Sequence, residues 1–116
     1  MENPVIDRNA FENLKAMAGA DYLPVLIDAY FEDSAGLFDE METALQAGDA
    51  QRFSRAAHSL KGNSANFGAS HLTGLSRELE LLGKSGSLEG ARPRLEALAV
   101  EYSRVKEALE GLRNGL

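Results

Sequence analysis

The chain contains no cysteine, which excludes disulfides and every metal or redox site that depends on thiolates. No apolar run approaches the roughly 18 residues that cross a bilayer, and the N-terminus lacks the basic-then-apolar pattern of a signal peptide. A cytoplasmic location is the resulting expectation, although a cytoplasmic segment of a larger membrane protein would read the same way. Basic residues are in deficit: 12 Lys and Arg stand against 18 Asp and Glu, for a net charge of −6. No local run of Lys and Arg offsets that imbalance, so nucleic acid and anionic membranes are not expected partners. There is no P-loop and no Gly-rich ATP loop, so the chain is not expected to phosphorylate itself. Histidine is scarce as well. His58 and His71 are the only two, and any chemistry that needs imidazole must use one of them.

What remains is an ordinary globular composition. The 116 residues are 44% hydrophobic and 26% charged, enough for one domain spanning residues 1–116 with a single core. Apolar residues recur at helical spacing almost throughout, and no stretch alternates as a strand would. Leu88, Ala91, Leu95, Leu98, Tyr102, Val105, Leu109 and Leu112 alternate steps of three and four, the seam of a long packed helix over 88–113. Pro93 sits near its beginning, where a missing amide proton costs least, so the regular helix is expected to start around 90–92. Leu72, Leu75, Leu79 and Leu82 mark a helix over 69–83 that closes at Gly83, followed by a loop by composition. Phe53, Ala57, Leu60, Ser64 and Phe67 mark another over 49–67, with Asp49 as N-cap and Gly68 at its end. Leu23, Leu26, Ile27, Tyr30, Leu37, Phe38, Met41 and Leu45 describe a helix over 21–47 opening at Asp21. A shorter helix over 7–18 precedes it. Four main helices joined by short loops predict an all-α, up-down-up-down antiparallel bundle with a short extra N-terminal helix.

On the third of these helices the seam runs through Ala57 and Leu60, and His58 falls about a hundred degrees away from it. One ring edge then faces the bundle and the other faces water. Its neighbours at three and four residues are Ser54, Arg55, Lys61 and Gly62. A phosphoryl group on an imidazole nitrogen carries close to two negative charges and needs cations beside it. Lys61 can supply one from the next turn, and Arg55 is either a second or a plain surface charge. Gly62 costs roughly 1 kcal/mol relative to alanine inside a helix. Access of another protein to the ring would account for it, and so would close helix packing. A histidine with an ordinary pKa near 6.5 is largely neutral at cellular pH, and it attacks through one nitrogen only if the other is protonated and held. Glu80, between Leu79 and Leu82, is the candidate holder from a neighbouring helix; the alternative is that it faces water.

Residues 57–69 read Ala-His-Ser-Leu-Lys-Gly-Asn-Ser-Ala-Asn-Phe-Gly-Ala, which resembles the signature of the histidine-containing phosphotransfer (HPt) family. His58, Lys61, Gly62, the small Ser64 and the closing Gly68 all match it. Residues 79–86, Leu-Glu-Leu-Leu-Gly-Lys-Ser-Gly, resemble the segment that follows, with Lys84 where an arginine is more usual. The likeness extends over most of the chain from about residue 20. It implies a phosphorelay carrier in which His58 takes a phosphoryl group from a receiver-domain aspartate and passes it to another receiver. By the same resemblance Lys61 stabilises phosphohistidine and Glu80 takes the place of a residue that hydrogen-bonds the histidine, with a carboxylate in place of an uncharged amide.

A carrier of that kind needs no cofactor of its own, and Mg²⁺ is expected in the partner receiver domain. The partners would be response regulators or a hybrid histidine kinase, docked weakly around His58 at Ser54, Arg55 and Ala65 and on the facing turn of the 21–47 helix. A monomer is expected. Two other classes compete with this one. In a sensor-kinase dimerisation helix the reactive histidine is typically followed by an acidic residue, whereas Ser59 follows here. In an inert scaffold His58 would be incidental. His71 reads as an exposed or capping residue, and a zinc site from the two histidines lacks a third ligand. Glu32, Asp33, Asp39, Glu40 and Glu42 read as a solvated face.

Overall fold

The computed structural model describes residues 5–116. Among them every regular element is an α-helix, and the five run in the order α1 (Arg8–Ala18), α2 (Leu23–Ala47), α3 (Ala50–Asn66), α4 (Ser70–Lys84) and α5 (Ala91–Asn114). Helix α2 packs on α3, α3 on α4, α4 on α5 and α5 back on α2, while α1 lies across α2 and α3. The loops between successive bundle helices are two, three and six residues long, too short to do anything but reverse the chain. The result is an antiparallel four-helix bundle braced by a short N-terminal helix.

The apolar stripes meet in one core. Leu23, Ile27, Met41, Phe53, Leu60, Leu72, Leu79, Leu98, Val105 and Leu109 are all buried. One polar pair crosses this core, where the Tyr30 hydroxyl and Ser64 Oγ lie 2.8 Å apart. The Tyr30 ring packs on Phe67 at 4.8 Å between centroids. Burial pushes the Tyr30 phenol up to about 12, so it stays protonated.

Local chemistry sets where each helix starts and stops. Asp49 caps α3 by accepting from the Arg52 amide at 3.1 Å, and Asp7 caps α1 by accepting from the Asn9 amide at 2.9 Å. Helix α2 begins at Leu23, two residues after the expected Asp21, because residues 19–22 are used in a tight turn in which the Tyr22 and Leu23 amides both donate to the Gly19 carbonyl. Pro24 then falls in the first turn of α2, where its lack of an amide proton leaves no bond unmade. Helix α5 starts at Ala91 after Gly90 in a left-handed conformation, with Pro93 in its first turn. Leu88 of the expected stripe therefore precedes the helix. Gly68, also left-handed at φ 74°, makes the α3–α4 turn. A β-carbon there would sit 2.8 Å from Ala10 Cβ and 2.9 Å from the Asp7 carbonyl oxygen. The Gly68 carbonyl in turn accepts from the Asp7 amide at 2.8 Å, so this turn is where α1 is fastened to the bundle.

Gly83 does not end α4 as its composition suggested. It is buried one residue inside the helix, which continues through Lys84. A β-carbon at Gly83 would meet Ser54 Cβ at 2.7 Å and the Ala50 carbonyl oxygen at 2.8 Å. The glycine is there because α3 and α4 approach each other too closely for a side chain.

Candidate functional site

The close approach of α3 and α4 brings one titratable cluster together. Ser54 is buried on the α4 side of α3, and its hydroxyl donates to the Glu80 backbone carbonyl at 2.9 Å. That contact and Gly83 fix the height of α4 against α3. Glu80 then points its carboxylate back at α3 with only 4% of the side chain exposed. Burying a carboxylate costs several kcal/mol unless it is fully paired, and here both oxygens are used. Lys61 Nζ donates to Oε1 at 2.6 Å. Oε2 lies 2.7 Å from His58 Nδ1 and 3.2 Å from Lys84 Nζ. The Lys61 hydrogen bond is the largest influence holding the Glu80 carboxyl down at about 2, with His58 and Lys84 adding to it against the opposing effect of burial. Glu80 is therefore a carboxylate at any physiological pH.

An ionised Glu80 dictates the state of the neutral ring. A carboxylate has no proton to give, so at 2.7 Å the hydrogen must be on His58 Nδ1. Nε2 is then the nitrogen with the free lone pair. The ring side chain is 64% exposed, so one edge is held and the other is open to solvent. Among the described residues, this ring nitrogen combines a held orientation with an open approach.

The exposed face of α3 agrees with that reading. Arg55, His58, Gly62 and Ala65 follow at steps of three, four and three, and all four are exposed, as a single stripe along the helix requires. Nothing lies within 4 Å of where a Gly62 β-carbon would be. Close helix packing is therefore not the reason for the glycine, and the surface one turn from the ring is left bare. Arg55 makes no hydrogen bond or ion pair among the described residues, and its charge acts at longer range on Glu40, whose carboxyl is held down first by Arg52.

Two expectations change. Ser54, expected on the docking surface, is buried and committed to Glu80; its position at four residues before His58 puts it on the inner side of the helix, and a partner could not reach it. Lys84 was given no role, yet it shares Glu80 Oε2 with His58. The available signal was the spacing Glu80 to Lys84 on one helix, which places opposite charges on adjacent turns. Its meaning depended on knowing that Glu80 faces inward. His71 lies exposed in the first turn of α4 and takes no part in the cluster. Of the acidic residues read as a solvated face, Glu40 pairs with Arg52 and Glu42 with Arg92.

Comparison with known proteins points the same way. The family model described as the Hpt domain matches residues 25–115, a span that holds His58, Lys61, Gly62, Glu80 and Lys84. Histidine-containing phosphotransfer protein 4 of Arabidopsis thaliana is 29% identical over 101 residues, covering 85% of this chain and 80% of that protein. The crystal structure of histidine-containing phosphotransfer protein B (HptB) from Pseudomonas aeruginosa PAO1 superimposes with a TM-score of 0.92 at 34% identity, over 99% of each chain.

Proposed function

We propose, from the premise that this chain belongs to the Hpt domain family and acts as a histidine phosphotransfer protein in a phosphorelay, that the phosphoryl group it carries rides on His58 Nε2. The observation that carries this reading is the His58 Nδ1 contact to a buried, ionised Glu80 at 2.7 Å. It leaves Nε2 as the one unprotonated, solvent-facing nitrogen of the ring.

The donor would be an aspartyl phosphate on a receiver domain. The Nε2 lone pair attacks phosphorus, the N–P bond forms, and the bond from phosphorus to the aspartyl oxygen breaks to release the aspartate as a carboxylate. Nδ1 keeps its proton throughout. The positive charge that the ring takes up is balanced by Glu80 on its far side, much as a buried aspartate balances an imidazolium in hydrolase triads. Passing the group to the aspartate of a second receiver is the same step in reverse. The ring then departs as neutral imidazole because Nδ1 is already protonated.

Charge and access complete the site. Lys61 has three N–H donors and spends one on Glu80, so a second can turn to a phosphoryl oxygen one turn back along α3. Arg55 lies one turn to the other side and can join it. Bare Gly62 allows a receiver to bring its own site down onto the ring. Phosphoryl transfer of this kind is mainly positioning and charge neutralisation, with Mg²⁺ supplied by the receiver, and it needs neither a nucleotide site nor kinase activity in the carrier. The carrier acts as a cytoplasmic monomer whose contacts with response regulators or a hybrid kinase are weak and transient, since it must release both donor and acceptor.

The direct test is transfer of label from a phosphorylated receiver domain. The wild-type chain should acquire acid-labile label, His58→Gln should acquire none, and Lys61→Ala should lose its label faster while remaining folded. Label gained from ATP alone would make the protein a kinase. Label that survives in His58→Gln would place the phosphoryl group elsewhere.

A further inference from the structure

Helix α3 carries His58, Lys61 and Gly62, so its rotation about its own axis decides where the ring points. A side chain on a helix reaches about 5–6 Å from the axis, and roughly 10° of rotation moves it by about 1 Å. The contacts at Glu80 tolerate less. His58 Nδ1 at 2.7 Å and Lys61 Nζ at 2.6 Å require placement within about 0.5 Å. One tie on that rotation is the Ser54 hydroxyl on the Glu80 carbonyl, in the first half of the helix. It restrains α3 against α4 at a single height.

A second tie comes from α2. Ser64 lies ten residues beyond Ser54, about 15 Å along the axis and about 80° around it. Its hydroxyl is 2.8 Å from that of Tyr30. The Tyr30 ring is itself wedged, packed at 4.8 Å on Phe67 and edge-on at 6.1 Å to Tyr102 of α5, so the phenol is a fixed post. Apolar packing does not take its place, because the α2–α3 seam is open at this level. A cavity of about 200 Å³ lies between Leu26, Tyr30 and Asp33 of α2 and Asn63 and Asn66 of α3. The other polar tie across this seam, Arg52 to Glu40, is partly exposed and weakened by solvent. Stability does not account for the buried pair either. Replacing both hydroxyls by apolar groups of the same shape is close to neutral, so Phe and Ala would hold these helices together as well. What they would lose is direction, since apolar burial is non-directional.

We propose that Tyr30 and Ser64 are positioning residues for phosphoryl transfer: their buried hydroxyl pair fixes the rotation of α3 from the α2 side and so holds His58 and Lys61 on Glu80 in the geometry that transfer requires. This rests on His58 being the acceptor. It brings into the reaction two residues that touch neither the ring nor phosphate, and it gives α3 a directional restraint on each of its two inner flanks.

The test uses the full chain, a phosphorylated receiver domain and three variants: Tyr30→Phe, Ser64→Ala and the two together. Ser64→Ala leaves a buried phenol unpaired and should lower the melting temperature by roughly 5–10 °C, whereas the double variant should melt within about 3 °C of wild type. The transfer rate at saturating receiver should nevertheless fall about tenfold in the double variant, a fraction of the hundredfold that a 1 Å misplacement can cost. KM for the receiver should stay within about twofold, because the docking face is untouched. By NMR without any phosphoryl donor, the nuclear Overhauser contact between the His58 ring and the Glu80 methylene protons should weaken in the same variant. A double variant that regains the wild-type rate along with its stability would overturn the proposal. So would a loss confined to KM, which would make the pair part of the docking face. A wild-type chain that takes no phosphoryl group would sink the acceptor role of His58, and an unweakened ring–Glu80 contact in the double variant would sink the positioning role by itself.

Discussion

Two of the bundle's four seams are held in opposite ways. Between α2 and α5 the charges stay at the rim: Arg92 forks onto Glu42 with both contacts at 2.6 Å, and Arg113 meets Asp28. Inside that rim the seam is aromatic, with the Tyr102 ring tilted against Phe38 at 5.2 Å and edge-on to Tyr30 at 6.1 Å. Between α3 and α4 the order is inverted. The carboxylate is inside, the backbones touch through Gly83 and Ser54, and the open face is left to His58 and Gly62. A buried ion cluster is weak evidence for stability, since a well-packed apolar replacement is often at least as stable. The α3–α4 seam is better understood as a mount: it stores a charge where folding alone would not put one, and it holds one edge of an exposed ring.

The sharpest way to break that mount is to push the two helices apart. Gly83→Val would force a branched side chain against Ser54 and the Ala50 carbonyl, and the loss in denaturant unfolding should reach about 3 kcal/mol, the upper range for overpacking. The same variant should transfer phosphoryl poorly even when folded, because Glu80 moves with α4. A valine that is accommodated at no cost would mean the close approach is not needed.

Acid titration probes the stored charge more gently. The Glu80 carboxyl lies at about 2 in the folded chain, well below the ordinary 4.5 of a free glutamate. The unfolded state therefore binds the proton first, and the contribution of Glu80 to stability is complete above about 4.5 and fades as pH falls toward 2. Glu80→Gln should flatten the stability profile over that window, and an unchanged profile would show that the cluster does not couple to folding. The smallest effect belongs to the other seam. Arg92→Ala removes an exposed pair that salt and solvent already weaken, and the melting temperature should stay within about 2 °C of wild type. A larger fall would erase the contrast between the seams.

Much of this was legible in the residues. The stripes of α2, α3, α4 and α5 predict the buried set closely, because helical periodicity is a local property of the chain. The motif around His58 carried Lys61 and Gly62 for the same reason, since residues three and four apart on a helix share a surface wherever the helix goes. The errors lie where a residue's meaning depends on another helix. Gly83 resembled a stop signal and is a contact point. Ser54 resembled a surface serine and is an interhelical donor. Lys84 resembled a loop lysine and is a partner of Glu80.

The amino-acid sequence by itself determined that this chain forms helices with one apolar face each, and that His58 falls beside the seam of its helix with a lysine and a glycine one turn on. Only the tertiary structure decided which edge of the imidazole is held. That choice depends on the height of α4 against α3, set by Ser54 and Gly83 across 26 and 33 residues of chain. No local periodicity encodes that height, because it is the outcome of packing two surfaces together. Once it is set, Glu80 meets Nδ1 rather than water, and Nε2 is the nitrogen left free.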